Sequence, residues 1–164
     1  MGADKALIEI DGVPMAERVA RVLTAAGCDP VIFVGGDPEL AELGRRQVPD
    51  RWPGEGPVGG VVTALLALRD ADAVLAAACD LPDLTTDAAL AVLGSESERT
   101  DIRVADSGRV EPMLACWPTR LRHEIERDFE QGTRALHEVV TGWMAIHVPV
   151  DPAAMRNVNR PDDL

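Results

Sequence analysis

Lysine is almost missing from this chain: of its 16 basic residues, 15 are arginine and Lys5 stands alone. Cysteine is scarce too. Cys28, Cys79 and Cys116 are far apart, odd in number and form no Cys-x-x-Cys pair. That argues against a disulfide framework and a cysteine zinc site, and it fits a reducing cytoplasm. No apolar run approaches the length of a membrane span, and no charged-then-apolar segment opens the chain as a signal peptide would. Positive charge is short overall: 16 basic against 28 acidic residues leave a net charge of −12. Such a balance disfavours nucleic acid and anionic membranes as partners. A nucleotide stays possible, because local donors and Mg²⁺ neutralise phosphates inside an acidic protein. No serine sits in a nucleophile elbow and no cysteine has an evident base partner, so covalent catalysis is disfavoured. His123, His137 and His147 share no ligand spacing and read as surface or packing residues.

What is present is one domain, residues 1–164, with 46% hydrophobic residues and therefore enough apolar material for a core. Residues 6–10, 31–34, 73–78, 102–105, 110–117 and 144–150 read as strands. Helical spacing covers roughly residues 14–26, 38–46, 61–68, 85–93, 119–131 and 134–140. Residues 49–60 form a loop, and Asp106-Ser107-Gly108-Arg109 reads as a hairpin turn. Strands alternating with helices predict a Rossmann-like, doubly wound α/β/α architecture. Its sheet should be mostly parallel, with an antiparallel pair in the second half.

The stretch 73–83 organises the chemistry. Six small or apolar residues end at Cys79-Asp80, and Pro82 blocks continuation. This reads as a buried parallel strand whose tip carries a carboxylate. Ligands of α/β sheets bind at such tips, and a lone carboxylate there suits Mg²⁺ when the substrate brings phosphates. A turn or helix-cap role for Asp80 fits the position equally well.

Gly54, Gly56, Gly59 and Gly60 crowd a loop that opens a helix, where glycine admits a ligand to the backbone and the helix terminus offers free N–H groups. It is not a Walker loop, since no Gly-Lys-Ser/Thr follows; an ordinary turn would read the same way. Lys5 supplies a compact ammonium suited to phosphate oxygens, or is a surface residue near a terminus. Asp50 precedes the glycine loop, where it could touch substrate, support the loop or face water. Glu111 interrupts an apolar strand. Asn157 and Asn159 share one face if extended, and could position a ligand or close turns.

Assembled in order, these pieces resemble the molybdenum cofactor guanylyltransferases, within the small nucleotidyltransferases. Met1-Gly2-Ala3-Asp4-Lys5 is similar to the end of that family's Leu-Ala-Gly-Gly-x-Ser-x-Arg-Met-Gly-x-Asp-Lys signature. Asp50 with Gly56-Pro57-Val58-Gly59-Gly60 resembles its Asp…Gly-Pro-Leu-Ala/Gly-Gly stretch. Cys79-Asp80-Leu81-Pro82, Glu111-Pro112-Met113-Leu114-Ala115 and the closing Asn157-Val158-Asn159-Arg160-Pro161 run each resemble a family motif. The resemblance implies roles. Lys5 would act in catalysis on the nucleotide phosphates, and Asp80 would hold Mg²⁺. Asp50, Gly56, Pro57, Gly59 and Gly60 would bind GTP. Glu111, Asn157 and Asn159 would lie on the molybdopterin side. The implied reaction transfers GMP to molybdopterin or the molybdenum cofactor with release of pyrophosphate, in a cytoplasmic monomer or weak homo-oligomer. Alternatives are CTP or another phosphorylated acceptor, or a truncated, non-catalytic nucleotide-binding domain.

The chain opens inside that signature. By the resemblance, the Leu-Ala-Gly-Gly segment and a first central strand are absent. The expectation is that the native protein is longer, and the upstream coding sequence tests it.

Overall fold

A computed structural model describes residues 5–158; Asn159 and the rest of the closing motif lie outside the described residues, as do Met1 to Asp4. A 3₁₀ turn, Lys5–Leu7, leads into the small antiparallel ribbon of β1 (Glu9–Ile10) and β2 (Val13–Pro14). Then come α1 (Met15–Ala25), β3 (Ile32–Val34), β4 (Arg46–Val48), α2 (Pro57–Ala67), β5 (Ala73–Ala77) and α3 (Thr86–Leu93). The second half adds β6 (Arg103–Asp106), β7 (Val110–Pro118), α4 (Arg122–Glu130), α5 (Leu136–Gly142) and β8 (Ile146–Pro149).

The strands form a layer with helices on both faces, and the period of two along each strand shows why. Leu75 of β5, Ala105 of β6, and Leu114 and Cys116 of β7 face one side, against Val19 and Leu23 of α1 and Ala88, Ala89 and Val92 of α3. Their neighbours Val74, Val104, Ala115 and Trp117 face the other side. There they meet Val62 and Leu65 of α2, Ile125 and Phe129 of α4, and Val139 and Val140 of α5. Two cores thus share one sheet, and each large side chain buried in them stabilises the fold by about 1.5–3 kcal/mol.

The α/β class and the hairpin hold. Asp106 accepts from the Gly108 N–H at 2.9 Å and the Ser107 N–H donates to the Arg109 carbonyl at 3.0 Å, so β6 turns into β7 where the sequence said. Thr85 caps α3, its hydroxyl accepting from the Ala88 N–H at 3.2 Å. Other elements differ from expectation. The strand read at residues 6–10 is a 3₁₀ turn followed by two-residue β1, because the chain must bend at Asp11-Gly12 into β2. The helix read at residues 38–46 is a 3₁₀ segment, Pro38–Leu43, closed by Gly44 in the left-handed region at φ 76°. β4 follows it unheralded, because Arg46-Gln47-Val48 has no apolar alternation; it pairs parallel with β3. β5 was expected to be parallel and fully buried. Its ladder with β7 is antiparallel, and Ala73, Ala76 and Ala77 are only half-buried.

That half-burial has a location. Among the described residues β3 pairs only with β4, while β5 ends the order β5-β7-β6-β8. Between β3 and β5 lies a cavity of about 710 Å³, walled by Ile32, Phe33 and Val34 on one side and by 73–78 on the other. Ala16 and Leu23 of α1 and Val61 and Ala64 of α2 line it as well.

Candidate functional site

The Asp80 end of β5 is the polar mouth of this cavity. Lys5, Asp80, Pro57 and Gly60 all line it. The Lys5 ammonium donates to Asp80 Oδ2 across 75 residues of sequence. Asp80 is 4% exposed, and its second oxygen, Oδ1, is buried with no hydrogen-bond partner among the described residues. A buried acceptor left without a donor costs about 1–3 kcal/mol. A cation would satisfy it. The helix-cap alternative for Asp80 is not what the structure shows, since Thr85 caps α3.

Opposite stands the N-terminus of α2. Gly56, at φ 97°, precedes the helix, Pro57 occupies its first position, and no side chain among the described residues caps it. An uncapped helix N-terminus of this kind favours an anion. Gly56 and Gly59 support this end rather than line the cavity. A Cβ on Gly56 would lie 3.0 Å from the Arg134 carbonyl, and one on Gly59 would touch Phe129 and Trp52 at 3.4 Å.

Asp50 supports the loop. Its Oδ1 accepts from the Trp52 N–H at 3.1 Å and from the Thr63 hydroxyl at 3.2 Å. The one Thr63 hydroxyl proton is shared between Asp50 and the Gly59 carbonyl, 2.9 Å away, while its oxygen accepts from the Arg51 N–H at 3.2 Å. Of the roles open to Asp50, tying the loop to α2 is the one with contacts.

Glu111 and Asn157 come together in a second, open cleft of about 590 Å³, with Ser107, Arg109 and Arg156. Glu111 Oε1 accepts from the Ser107 hydroxyl and the Arg109 guanidinium, both at 2.7 Å. The hydrogen bond and charge of Glu111 raise the Arg109 pKa further above its ordinary value. Glu111 is placed there by a slip in the β6–β7 ladder between Val104 and Ala105. Pro112 lies in that stretch and has no N–H to give the ladder. Asn157 is placed by the next residue, whose N–H donates to the Asp80 carbonyl at 3.0 Å. Arg156 pairs with Asp83. The two clefts are linked through the chain, Glu111 preceding Pro112 of the first cavity and the Val158 N–H bonding the Asp80 carbonyl.

Sequence reasoning passed over Arg109, Arg134, Arg156 and Thr63. Arg109 lies in the hairpin turn two residues from Glu111, and Arg156 directly precedes Asn157, so nearness to those candidates was a usable signal. Arg134 and Thr63 gave none.

The family description "MobA-like NTP transferase domain" matches residues 1–145. The chain is 31% identical to a probable molybdenum cofactor guanylyltransferase of Opitutus terrae, over 99% of this chain and 86% of that one. It is 32% identical to the molybdenum cofactor guanylyltransferase of a Bradyrhizobium species, over 99% and 82%. Among solved structures it is similar to molybdopterin-guanine dinucleotide biosynthesis protein A of Archaeoglobus fulgidus, with a TM-score of 0.71, 24% identity, and coverage of 97% and 86%. It shares its fold with 2-C-methyl-D-erythritol 4-phosphate cytidylyltransferase of Thermus thermophilus, at a TM-score of 0.67, 18% identity, and coverage of 97% and 89%. The chain is a nucleotidyltransferase by these relatives, and it belongs to the MobA-like NTP transferase family.

Proposed function

We propose that the chain transfers a guanylyl group from GTP to the terminal phosphate of molybdopterin, in a reaction that depends on Mg²⁺. The observation that carries this reading is Asp80 Oδ1, buried beside Lys5 with no hydrogen-bond partner among the described residues, in a cavity that also reaches the α2 N-terminus. Among the described residues no group of three or more His, Cys, Asp or Glu side chains comes together. That suits Mg²⁺, which is commonly held by one or two carboxylates plus substrate phosphates. When bound, the cation neutralises phosphate charge at the reacting centre.

In the reaction, an oxygen of the acceptor's phosphate forms a bond to the α-phosphorus of GTP. The bond from that phosphorus to the α–β bridging oxygen breaks, and pyrophosphate leaves with the electron pair. No protein nucleophile is needed. The chain's work is alignment and charge neutralisation. Lys5 gives its ammonium to phosphate oxygens, and Asp80 is the anchor that holds Lys5 in reach. The N–H groups at the start of α2 face the nucleotide. Glu111 and Asn157 orient the acceptor in the adjoining cleft, and the family motif assigns Asn159 to the same substrate.

The test is pyrophosphate release with GTP, molybdopterin and a Mg²⁺ titration, with CTP in parallel. Asp80→Asn should cut turnover at least about 100-fold and flatten the Mg²⁺ dependence, in line with the loss of a strong electrostatic contributor. Wild-type turnover in that variant would place the metal elsewhere. Equal or better turnover with CTP would overturn the guanylyl assignment.

A further inference from the structure

Two contacts tie the glycine loop to the segment between α4 and α5 through Arg134, and two more seat Arg134 on Phe129 of α4. Its guanidinium bonds Glu55 in the loop at 3.0 Å, across 79 residues of sequence. The same group lies 4.0 Å over the Phe129 ring and donates to the Phe129 carbonyl. Its own carbonyl sits so close to Gly56 that a Cβ there would come within 3.0 Å. Phe129 in turn packs on Trp52 at the loop's entrance, ring centroids 5.0 Å apart. The loop is thus fastened twice. Asp50 and Thr63 hold its entry, and Glu55 with Arg134 hold its exit into α2.

We infer that Arg134 is a positioning residue, a clamp that fixes the Gly54–Gly56 turn through Glu55 and so sets the direction of the α2 N-terminus. This rests on the nucleotide reading of the cavity only for its functional consequence. The clamp itself is a property of the free protein. A guanidinium suits the task because its planar fork binds a carboxylate with one edge while its face stacks on an aromatic ring. Both charged partners are about half-exposed, so the pair can be altered without hollowing the core.

The experiment is hydrogen exchange at the backbone of residues 52–60 in the nucleotide-free protein, followed by GTP-Mg²⁺ binding, in Glu55→Gln, Arg134→Gln and the double variant. Glu55→Gln should speed loop exchange about twofold to fivefold, the range for one exposed ion pair. Arg134→Gln should speed it about tenfold, because the ring contact goes as well. Adding Glu55→Gln to Arg134→Gln should change nothing further. GTP affinity should fall by the same factors in the same order. Unchanged loop exchange in Glu55→Gln would overturn the clamp, as would full additivity in the double variant. A loss of GTP affinity in Arg134→Gln with none in Glu55→Gln would instead make Arg134 a direct ligand contact and overturn the positioning role. Faster loop exchange in the variants, with no GTP bound by the wild-type protein, would overturn the nucleotide reading and leave the clamp established.

Discussion

Burial treats the thiols of this chain unequally. Cys116 points from β7 into the core between the sheet and α3, is fully buried, and has its pKa pushed up to about 11. Desolvation is the main cause; the charges of Arg99 and Arg103 pull the other way and are outweighed. Cys28 is raised as well, again by burial, but keeps some exposure. Because the thiolate is the reactive form, iodoacetamide near neutral pH should leave Cys116 unmodified in the folded protein and alkylate it only in denaturant. Native-state labelling of Cys116 at the rate of a free thiol, read by mass spectrometry, would show that β7 opens locally. The same reasoning separates the site residues that sequence could supply from those it could not. Asp80 ends an apolar run and Lys5 is unique of its kind, so each carries a compositional mark. Arg134 is one arginine among 15 and gains meaning only when folding brings Glu55 to it.

The elements carrying the site are held in register by pairs of the Arg134 kind, linking segments far apart in sequence. Glu17, on the first turn of α1, accepts from Arg21 at 2.9 Å and from Arg45, just before β4, at 3.0 Å. Arg45 also donates to Thr24 at 3.2 Å. These contacts fix α1 against the β3–β4 pair. Burial by itself would raise the Glu17 pKa, but the bonds and charges of Arg45 and Arg21 prevail and hold it below the ordinary 4.5. A lowered carboxylate pKa stabilises the fold fully above its unfolded value, and that contribution disappears as pH falls through the lower native value. Glu17→Gln should therefore cost about 1 kcal/mol near pH 7, with the gap to wild type closing at an acid pH below the lowered native value. Urea unfolding of both proteins at the two pH values checks it; a gap that is constant with pH would mean the loss is packing rather than charge. Legibility at this scale followed periodicity. α1 shows its buried face in Met15, Val19 and Leu23, and the β6–β7 hairpin shows its turn. β4 was invisible because three residues with mixed polarity form a strand only when β3 offers an edge. The antiparallel sense of β5 was invisible for a similar reason. A buried apolar run reports burial, and only its partner reports direction.

Across the whole molecule the decisive feature is the division of the strand layer. β3–β4 and β5-β7-β6-β8 are separate ladders, and the edges of β3 and β5 face one 710 Å³ cavity. Apolar side chains of α1 above and α2 below complete a slot with two hydrogen-bonding edges and two greasy walls. An exposed pair of edges is a standing invitation to strand addition, and an extended apolar segment satisfies both at once. Lys5 and Ala6, at the start of the described residues, line the same cavity. Extending the chain by the in-frame codons upstream of Met1 should then close the sheet if they encode an apolar strand. Burying two or three large side chains, less the cost of ordering the segment, leaves a gain of about 2 kcal/mol, or roughly 4–8 °C in Tm. Hydrogen exchange should slow at residues 32–34 and 73–77 and nowhere else by as much. A Gly-Ser extension of equal length provides the comparison, since it adds chain without a side chain to bury. Equal melting temperatures for the two extensions, with both strand edges still exchanging freely, would mean that the slot is kept open for a ligand rather than for a strand.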